Sequence, residues 1–300
     1  MIDYAALRVL AAVIETGSFE RAAARLHVTP SAVSQRVRQM EERLGVVLVV
    51  RGTPSVATEA GDRLCRHFET VSLLEQALSG SLPALSGGDR GQAGVTIPLA
   101  VNADSLDSWF VEALARFSRV SRHQVRISVD DQDHTAEWLE RGRVLAAVSS
   151  LETTVPGCKR HALGALRYRA TASPELLTRL APEGVTAESL SRLPVLVFDR
   201  KDGLQAAWMR QVFGTVIQAP AYWLPSTRSF IEASLAGIGW GMNPELLAME
   251  HLATGRLVEL IPNTPLDIPL SWQTTQLATE PLKALTKAVM AVAGERLVRG

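Results

Sequence analysis

Residues 18–44, SFERAAARLHVTPSAVSQRVRQMEERL, constrain the fold more than any other stretch of this chain. Two apolar stripes at helical spacing are separated there by a segment with room only for a turn. Phe19, Ala22, Ala23 and Leu26 repeat at three- and four-residue intervals behind Ser18, whose hydroxyl can accept from the free N–H groups of a first helical turn. His27 and Val28 make the turn. Thr29 caps a second helix, Pro30 opens it where a missing N–H costs nothing, and Val33, Val37, Met40 and Leu44 form its inward stripe. The opposite face carries Ser31, Gln35, Arg38, Gln39 and Glu42, flanked by Ser34 and Arg36. Such side chains on a rigid helix can bond base edges and phosphates, although an amphipathic helix pair also serves as the solvated surface of a bundle.

The residues that follow favour nucleic acid. Gly45 ends the helix, Val46 to Val50 continue as a β-prone run, and Arg51-Gly52-Thr53-Pro54 turn it back. A two-stranded wing beside a reading helix fits this pattern, with Arg51 placed to touch a phosphate or enter a minor groove. Asp3 to Glu15, with Leu7, Leu10 and Ile14 on one stripe, supplies the third helix such a domain needs for a core. Double-stranded DNA is therefore the expected partner, met by Thr29, Pro30, Ser31, Ser34, Gln35, Arg36, Arg38 and Arg51.

This stretch resembles the LysR-type transcriptional regulators. The resemblance is carried by Gly17-Ser18-Phe19, Ala22-Ala23, Ser31 to Arg38, Glu42-Arg43-Leu44-Gly45 and Thr58-Glu59-Ala60-Gly61. A narrower resemblance is to the arginine- and lysine-responsive ArgP/LysG subgroup. It rests on Phe19-Glu20-Arg21-Ala22-Ala23, Ser31 to Arg36, Leu99-Ala100-Val101-Asn102-Ala103-Asp104-Ser105-Leu106, and Gly142, Val144 and Ala146-Ala147-Val148-Ser149. The resemblance implies an N-terminal all-α winged helix-turn-helix with a long linker helix, followed by a C-terminal α/β two-lobed periplasmic-binding-protein-like effector domain. It also implies a regulator of amino-acid export or metabolism genes, with lysine or arginine as effector. One departure stands in the wing, where many members have a second basic residue and this chain has Thr53-Pro54-Ser55.

Three hundred residues with 47% hydrophobic content allow two or three domains and ample core. Lys plus Arg equals Asp plus Glu at 31 each, so no global field draws the chain to DNA. The first 66 residues hold nine Arg against seven acids, a weakly basic balance in which placement matters more than sum. Two cysteines, Cys65 and Cys158, lie far apart in sequence and suit a reducing compartment; redox sensing at Cys158 is the alternative. With no charged-then-apolar leader and no run of about 18 apolar residues, no membrane partner and a cytoplasmic location are expected.

From Thr58 to about Leu85 one long helix is expected, with Leu64, Phe68, Val71, Leu74, Leu78 and Leu82 on a seam. Packing against the same helix of a second subunit would cover that seam, making a homodimer or homotetramer; the alternative partner is the chain's own regulatory domain. Ser86 to Gln92 holds three glycines and no apolar anchor, and reads as a hinge. Beyond it, strand and helix patterns alternate, which argues for α/β lobes with mostly parallel sheets. The expected division is 1–58 for the winged domain, 59–86 for the linker helix, 87–93 for the hinge and 94–300 for the effector domain. Lobe I takes about 94–164 and 269–300, and lobe II about 165–268.

Ligands in such sheets lie beyond the carboxyl ends of strands, where helix N-termini offer free N–H groups. The edges here are Asn102 to Ser105, Asp130 to His134, Ser149-Ser150, Asp199 to Asp202 and Pro225 to Thr227. Asn102, Asp104, Ser105, Asp130, Asp131, Ser149, Asp199 and Ser226 are the candidate effector residues. Hydrogen-bond donors would take an α-carboxylate, and acids an ammonium and a cationic side chain. Any one acid also reads as a helix cap or solvated loop. Asp130 to His134 lacks Cys/His partners at metal-ligand spacing, Gly237 to Gly241 stands before no helix start, and no nucleophile motif occurs. No cofactor, metal or enzymatic activity is expected. The second function class is a solute-binding protein of amino-acid transport, which residues 94–300 would suit and which leaves residues 1–60 without a role.

Overall fold

The computed structural model describes residues 3–81, 96–130, 135–140, 142–151, 153–276 and 280–299. The chain divides into two units, Met1–Thr96 and Ile97–Gly300.

In the first unit α1 (Tyr4–Thr16), α2 (Phe19–Leu26) and α3 (Pro30–Leu44) precede an antiparallel hairpin, β1 (Val49–Val50) with β2 (Val56–Ala57), and then α4 (Glu59–Ser81). The side chains of Asp3, Ser18 and Thr29 accept from the N–H groups of Ala6, Arg21 and Ala32, which starts each of the first three helices. Leu7, Leu10, Val13, Ala22, Val33, Val37, Met40 and Leu48 form the core. Leu44, expected on the inward stripe, is 45% exposed. It is the last residue of α3 and lies one turn beyond Met40, the last side chain that the core covers.

Two contacts hold the wing. Glu41 Oε1 accepts from the N–H groups of Leu48 (2.7 Å) and Val49 (3.2 Å). Thr58 Oγ1 donates to the Val47 carbonyl at 2.7 Å and accepts from the Gly61 N–H at 3.1 Å. A Cβ at Gly61 would lie 2.1 Å from the Leu48 carbonyl oxygen, so only glycine lets α4 approach the wing this closely. Along α4 the apolar seam divides. Leu64, Cys65 and Phe68 pack into the core of the unit, whereas Val71 is half-buried and Leu74 is exposed. The side chain of Leu78 and residues 82–95, including the expected hinge, lie outside the described residues.

The second unit runs β3 (Thr96–Asn102), α5 (Ala103–Ser105), a π-helical turn (Leu106–Phe110), α6 (Val111–Val120), β4 (Gln124–Asp130), α7 (Thr135–Glu140), β5 (Ala146–Ser149) and β6 (Cys158–Ala172). It continues through α8 (Pro174–Leu180), α9 (Ala187–Leu190), β7 (Val195–Val197), α10 (Leu204–Phe213), β8 (Ala221–Trp223), α11 (Thr227–Leu235), β9 (Gly241–Pro244), α12 (Glu245–Ala253), β10 (Val258–Glu259), β11 (Leu266–Thr275) and α13 (Glu280–Arg296). Seven strands form one sheet in the order β10-β6-β11-β5-β3-β4, with β9 also on β6, and β7 pairs with β8 separately.

The expectation of mostly parallel sheets is corrected. β3–β5 and β7–β8 are parallel, but β11 is antiparallel to β5 and to β6, and β6 is antiparallel to β9 and β10. The cause is the double crossing. β6 carries the chain out of the first half and β11 brings it back, so the two long strands must run in opposite senses. Gly239 and Gly241 serve close packing: a Cβ there would meet the Pro194 carbonyl oxygen and the Phe230 ring, each at 2.7 Å. Trp109, Phe110 and Trp272 fill the core beside α13, and Trp272 Nε1 donates to Thr286 Oγ1 at 3.0 Å. Among the described residues no helix is long and apolar enough to cross a membrane.

Candidate functional site

In the first unit α3 exposes Pro30, Ser31, Gln35, Arg36, Arg38 and Gln39 along one side, with Ser34 half-buried. Burial of Val33, Val37 and Met40 orients that side outward. Thr29 is engaged as the cap, its hydroxyl 3.0 Å from Ser31 Oγ. Arg38 Nε donates to Glu42 Oε1 at 2.8 Å, with both side chains more than half exposed. A pair of this spacing and exposure contributes about 0.3–0.5 kcal/mol, so the guanidinium can be given up to a phosphate at little cost. Arg51 lies with its guanidinium carbon 4.9 Å from the Phe19 ring centroid, drawn back over α2 from the tip of the wing.

In the second unit the junction between β3 and α5 brings several buried polar groups together. β3 and β5 run parallel with Leu99 beside Ala146 and Ala100 beside Ala147, so the strands end with Asn102 and Ser149 near one another. Asn102, Ser105 and Ser149 are buried. Ser149 Oγ accepts from the Leu151 N–H at 3.1 Å. Asn102 Oδ1 and Ser105 Oγ find no hydrogen-bond partner among the described residues. Buried polar atoms are nearly always paired, so two such atoms within four residues at one strand end make this junction a candidate binding point.

Between them stands Asp104. Tyr168 Oη donates to Asp104 Oδ2 at 2.7 Å and Thr227 Oγ1 donates to Oδ1 at 2.7 Å. Burial pushes the carboxyl up to about 6; the two hydroxyls oppose this, and the carboxylates of Asp202 and Asp107 add to it. No Lys or Arg among the described residues pairs with it. Asp202 is itself raised by burial, and it accepts from the N–H groups of Phe198 and Leu204 and from Gln205 Nε2.

The other candidates fall elsewhere. Asp199 Oδ1 accepts from the N–H groups of Lys201 and Asp202 and closes a local turn. Ser226 caps α11 by accepting from the Ser229 N–H. Within the same two strand-end runs it is Thr227 that bonds Asp104, and the charge of Asp202 that acts on it through space. Asp130 ends β4, and its side chain and the whole of Asp131 lie outside the described residues. Tyr168 is not among the candidates because a tyrosine alternating with Arg167 and Arg169 reads as the core-facing side of a strand. Its one signal is the hydroxyl, which a fully buried position must satisfy.

Comparison with known proteins agrees with both halves. Residues 4–62 match the family described as bacterial regulatory helix-turn-helix protein, lysR family, and residues 90–295 match the LysR substrate binding domain. The chain is 40% identical over 292 residues to the HTH-type transcriptional regulator LysG of Mycobacterium tuberculosis, covering 97% of this chain and 94% of that protein. The crystal structure of ArgP from Mycobacterium tuberculosis is similar over 100% of both chains, with 40% identity and a TM-score of 0.78. Full-length LysG from Corynebacterium glutamicum with bound effector Arg is similar over 99% of this chain and 100% of that one, with 35% identity and a TM-score of 0.67. The helix-turn-helix match accounts for the residues that a solute-binding protein would leave without a role. The chain belongs to the LysR family of bacterial helix-turn-helix transcriptional regulators.

Proposed function

We propose that this regulator senses a free basic amino acid, L-lysine or L-arginine, at the junction of β3 and α5, and that it acts in the cytoplasm on DNA as an oligomer. The observation that carries the reading is the Asp104 carboxylate, withdrawn from solvent, flanked by Asp107 and Asp202, and without a Lys or Arg partner among the described residues. Such a group calls for a cation from outside. The effector's ammonium meets Asp104. Its α-carboxylate meets the N–H groups around Ser105, with Asn102 and Ser149 orienting it, and its cationic side chain lies in the field of Asp107 and Asp202. The effector Arg bound by the Corynebacterium glutamicum relative supports this chemistry.

Thr29, Pro30, Ser31, Ser34, Gln35, Arg36, Arg38 and Arg51 supply the DNA face, and Gln35 is placed for a base edge. Val71 and Leu74, which the first unit does not fully cover, supply part of the seam for a second copy. Effector binding changes the spacing of the paired reading helices insofar as it favours one arrangement of the lobes over another.

A gel-shift titration on DNA flanking the protein's own gene, with matched calorimetry, tests the reading. L-Lysine or L-arginine should shift the complex and release or absorb heat, and norleucine and L-glutamate should not. Norleucine binding as tightly as lysine would overturn the role of the acids. Absence of heat with every amino acid would overturn the site.

A further inference from the structure

The Asp104 carboxylate is held from two distant parts of the chain. Tyr168 is fully buried in the middle of β6, and Thr227, 2% exposed, is the first residue of α11. Each hydroxyl spends its single proton on a different carboxylate oxygen. A carboxylate offers about four acceptor positions, so two remain for a ligand. The orphaned Asn102 Oδ1 and Ser105 Oγ lie within two residues of Asp104 on the same segment. We infer that Tyr168 and Thr227 are positioning residues for the effector, clamping both oxygens of Asp104 so that an ammonium meets a carboxylate already fixed in place. This rests on the effector reading above and adds to it the means by which the acid is kept ready.

Among the described residues, the charged groups around Asp104 are Asp107, one helical turn further on, and Asp202, ahead of α10. Arg169, the next residue along β6, points to the other face of the strand, where it pairs with Glu245 at 2.6 Å and Glu259 at 3.2 Å. Burial and the two acids favour the protonated carboxyl, and only the clamp favours the carboxylate. Cation binding must therefore expel a proton wherever Asp104 carries one, and removing a clamp hydroxyl makes that expulsion harder.

The test is the affinity of full-length protein for L-arginine across pH, in the wild type, Tyr168→Phe, Thr227→Val and Thr227→Ser, with circular dichroism confirming that each is folded. Affinity in the wild type should fall about tenfold between pH ~8 and ~5. In Tyr168→Phe and Thr227→Val the fall should be roughly a hundredfold, with the midpoint moved up by about one unit, and Thr227→Ser should restore the wild-type profile. Folded variants whose pH profiles superimpose on the wild type would overturn the clamp, whatever their absolute affinity. A ligand-free readout separates this from the effector reading. The carboxyl carbon resonance of Asp104 should titrate near 6 in the wild type and higher in Tyr168→Phe and Thr227→Val. No movement overturns the clamp. Movement in a wild type that binds no basic amino acid overturns the effector role for both.

Discussion

The reading helix and the β3–α5 junction are both polar sites, built in opposite ways. On α3 the polar residues are neighbours in sequence and stand exposed on one side of a helix whose other side is the core. At the junction a half-buried acid, Asp104, is satisfied by residues 64 and 123 positions away. The first arrangement suits a large, hydrated polyanion that must be met and left. The second suits a small cation that must be stripped of water, where one hydrogen bond to charge contributes more than it would at the surface. A site of the first kind is local and tolerant of substitution. A site of the second kind depends on the whole fold and is sensitive to one oxygen.

The largest expected effect lies on α4, where the local stripe leaves the core of the first unit. Val71→Asp puts an unpaired carboxylate into the proposed seam; it should split the oligomer in light scattering and lower operator affinity by about 10²–10⁴-fold, since the second half-site is lost. An unchanged oligomer would place the dimer contacts elsewhere.

Asp104→Asn tests the buried site. L-Arginine should bind roughly a hundredfold more weakly by calorimetry. The same substitution should help the ligand-free protein. Asp104 is raised from 3.8 to about 6, so its contribution to stability is fully present below 3.8 and is lost as pH rises through about 6. The loss is about 3 kcal/mol. The melting temperature of Asp104→Asn relative to wild type should therefore climb between pH ~4 and ~7. A flat difference would mean that the carboxylate is not desolvated.

Smaller effects sharpen the comparison from the exposed side. Gln35→Ala should cost about 1–3 kcal/mol on operator DNA and almost nothing on random DNA. Arg38→Ala should cost less, weaken both, and flatten the salt dependence, because its pairing with Glu42 is surface-exposed and weak. Equal losses for Gln35→Ala on both DNAs would reassign it to the phosphate backbone.

The first unit was legible almost residue by residue, because caps, turns and stripes are short-range signals. Ser18 and Thr29 cap where the pattern put them. Glu41 was not legible, since its partners, the N–H groups of Leu48 and Val49, come into reach only once the wing folds back. In the second unit most strands and helices followed from periodicity, but the sense of the sheet did not. β6 begins at Cys158, in a run whose mixed Lys, Arg and His content gives no strand periodicity. α12 (Glu245–Ala253) was missed because it starts straight from β9 behind Pro244 without a polar cap. At the junction, Asn102, Asp104, Ser105 and Ser149 were legible as candidates from the rule of strand ends. Tyr168 was not, because its hydrogen bond to Asp104 forms only once β6 is laid beside the junction.

The most direct test is a crystal structure of the protein saturated with L-arginine. An arginine nitrogen should lie within about 3 Å of an Asp104 carboxylate oxygen, with Tyr168 and Thr227 still donating to that carboxylate. Arginine bound with no nitrogen within about 4 Å of Asp104, or seated away from the β3–α5 junction altogether, would contradict this placement.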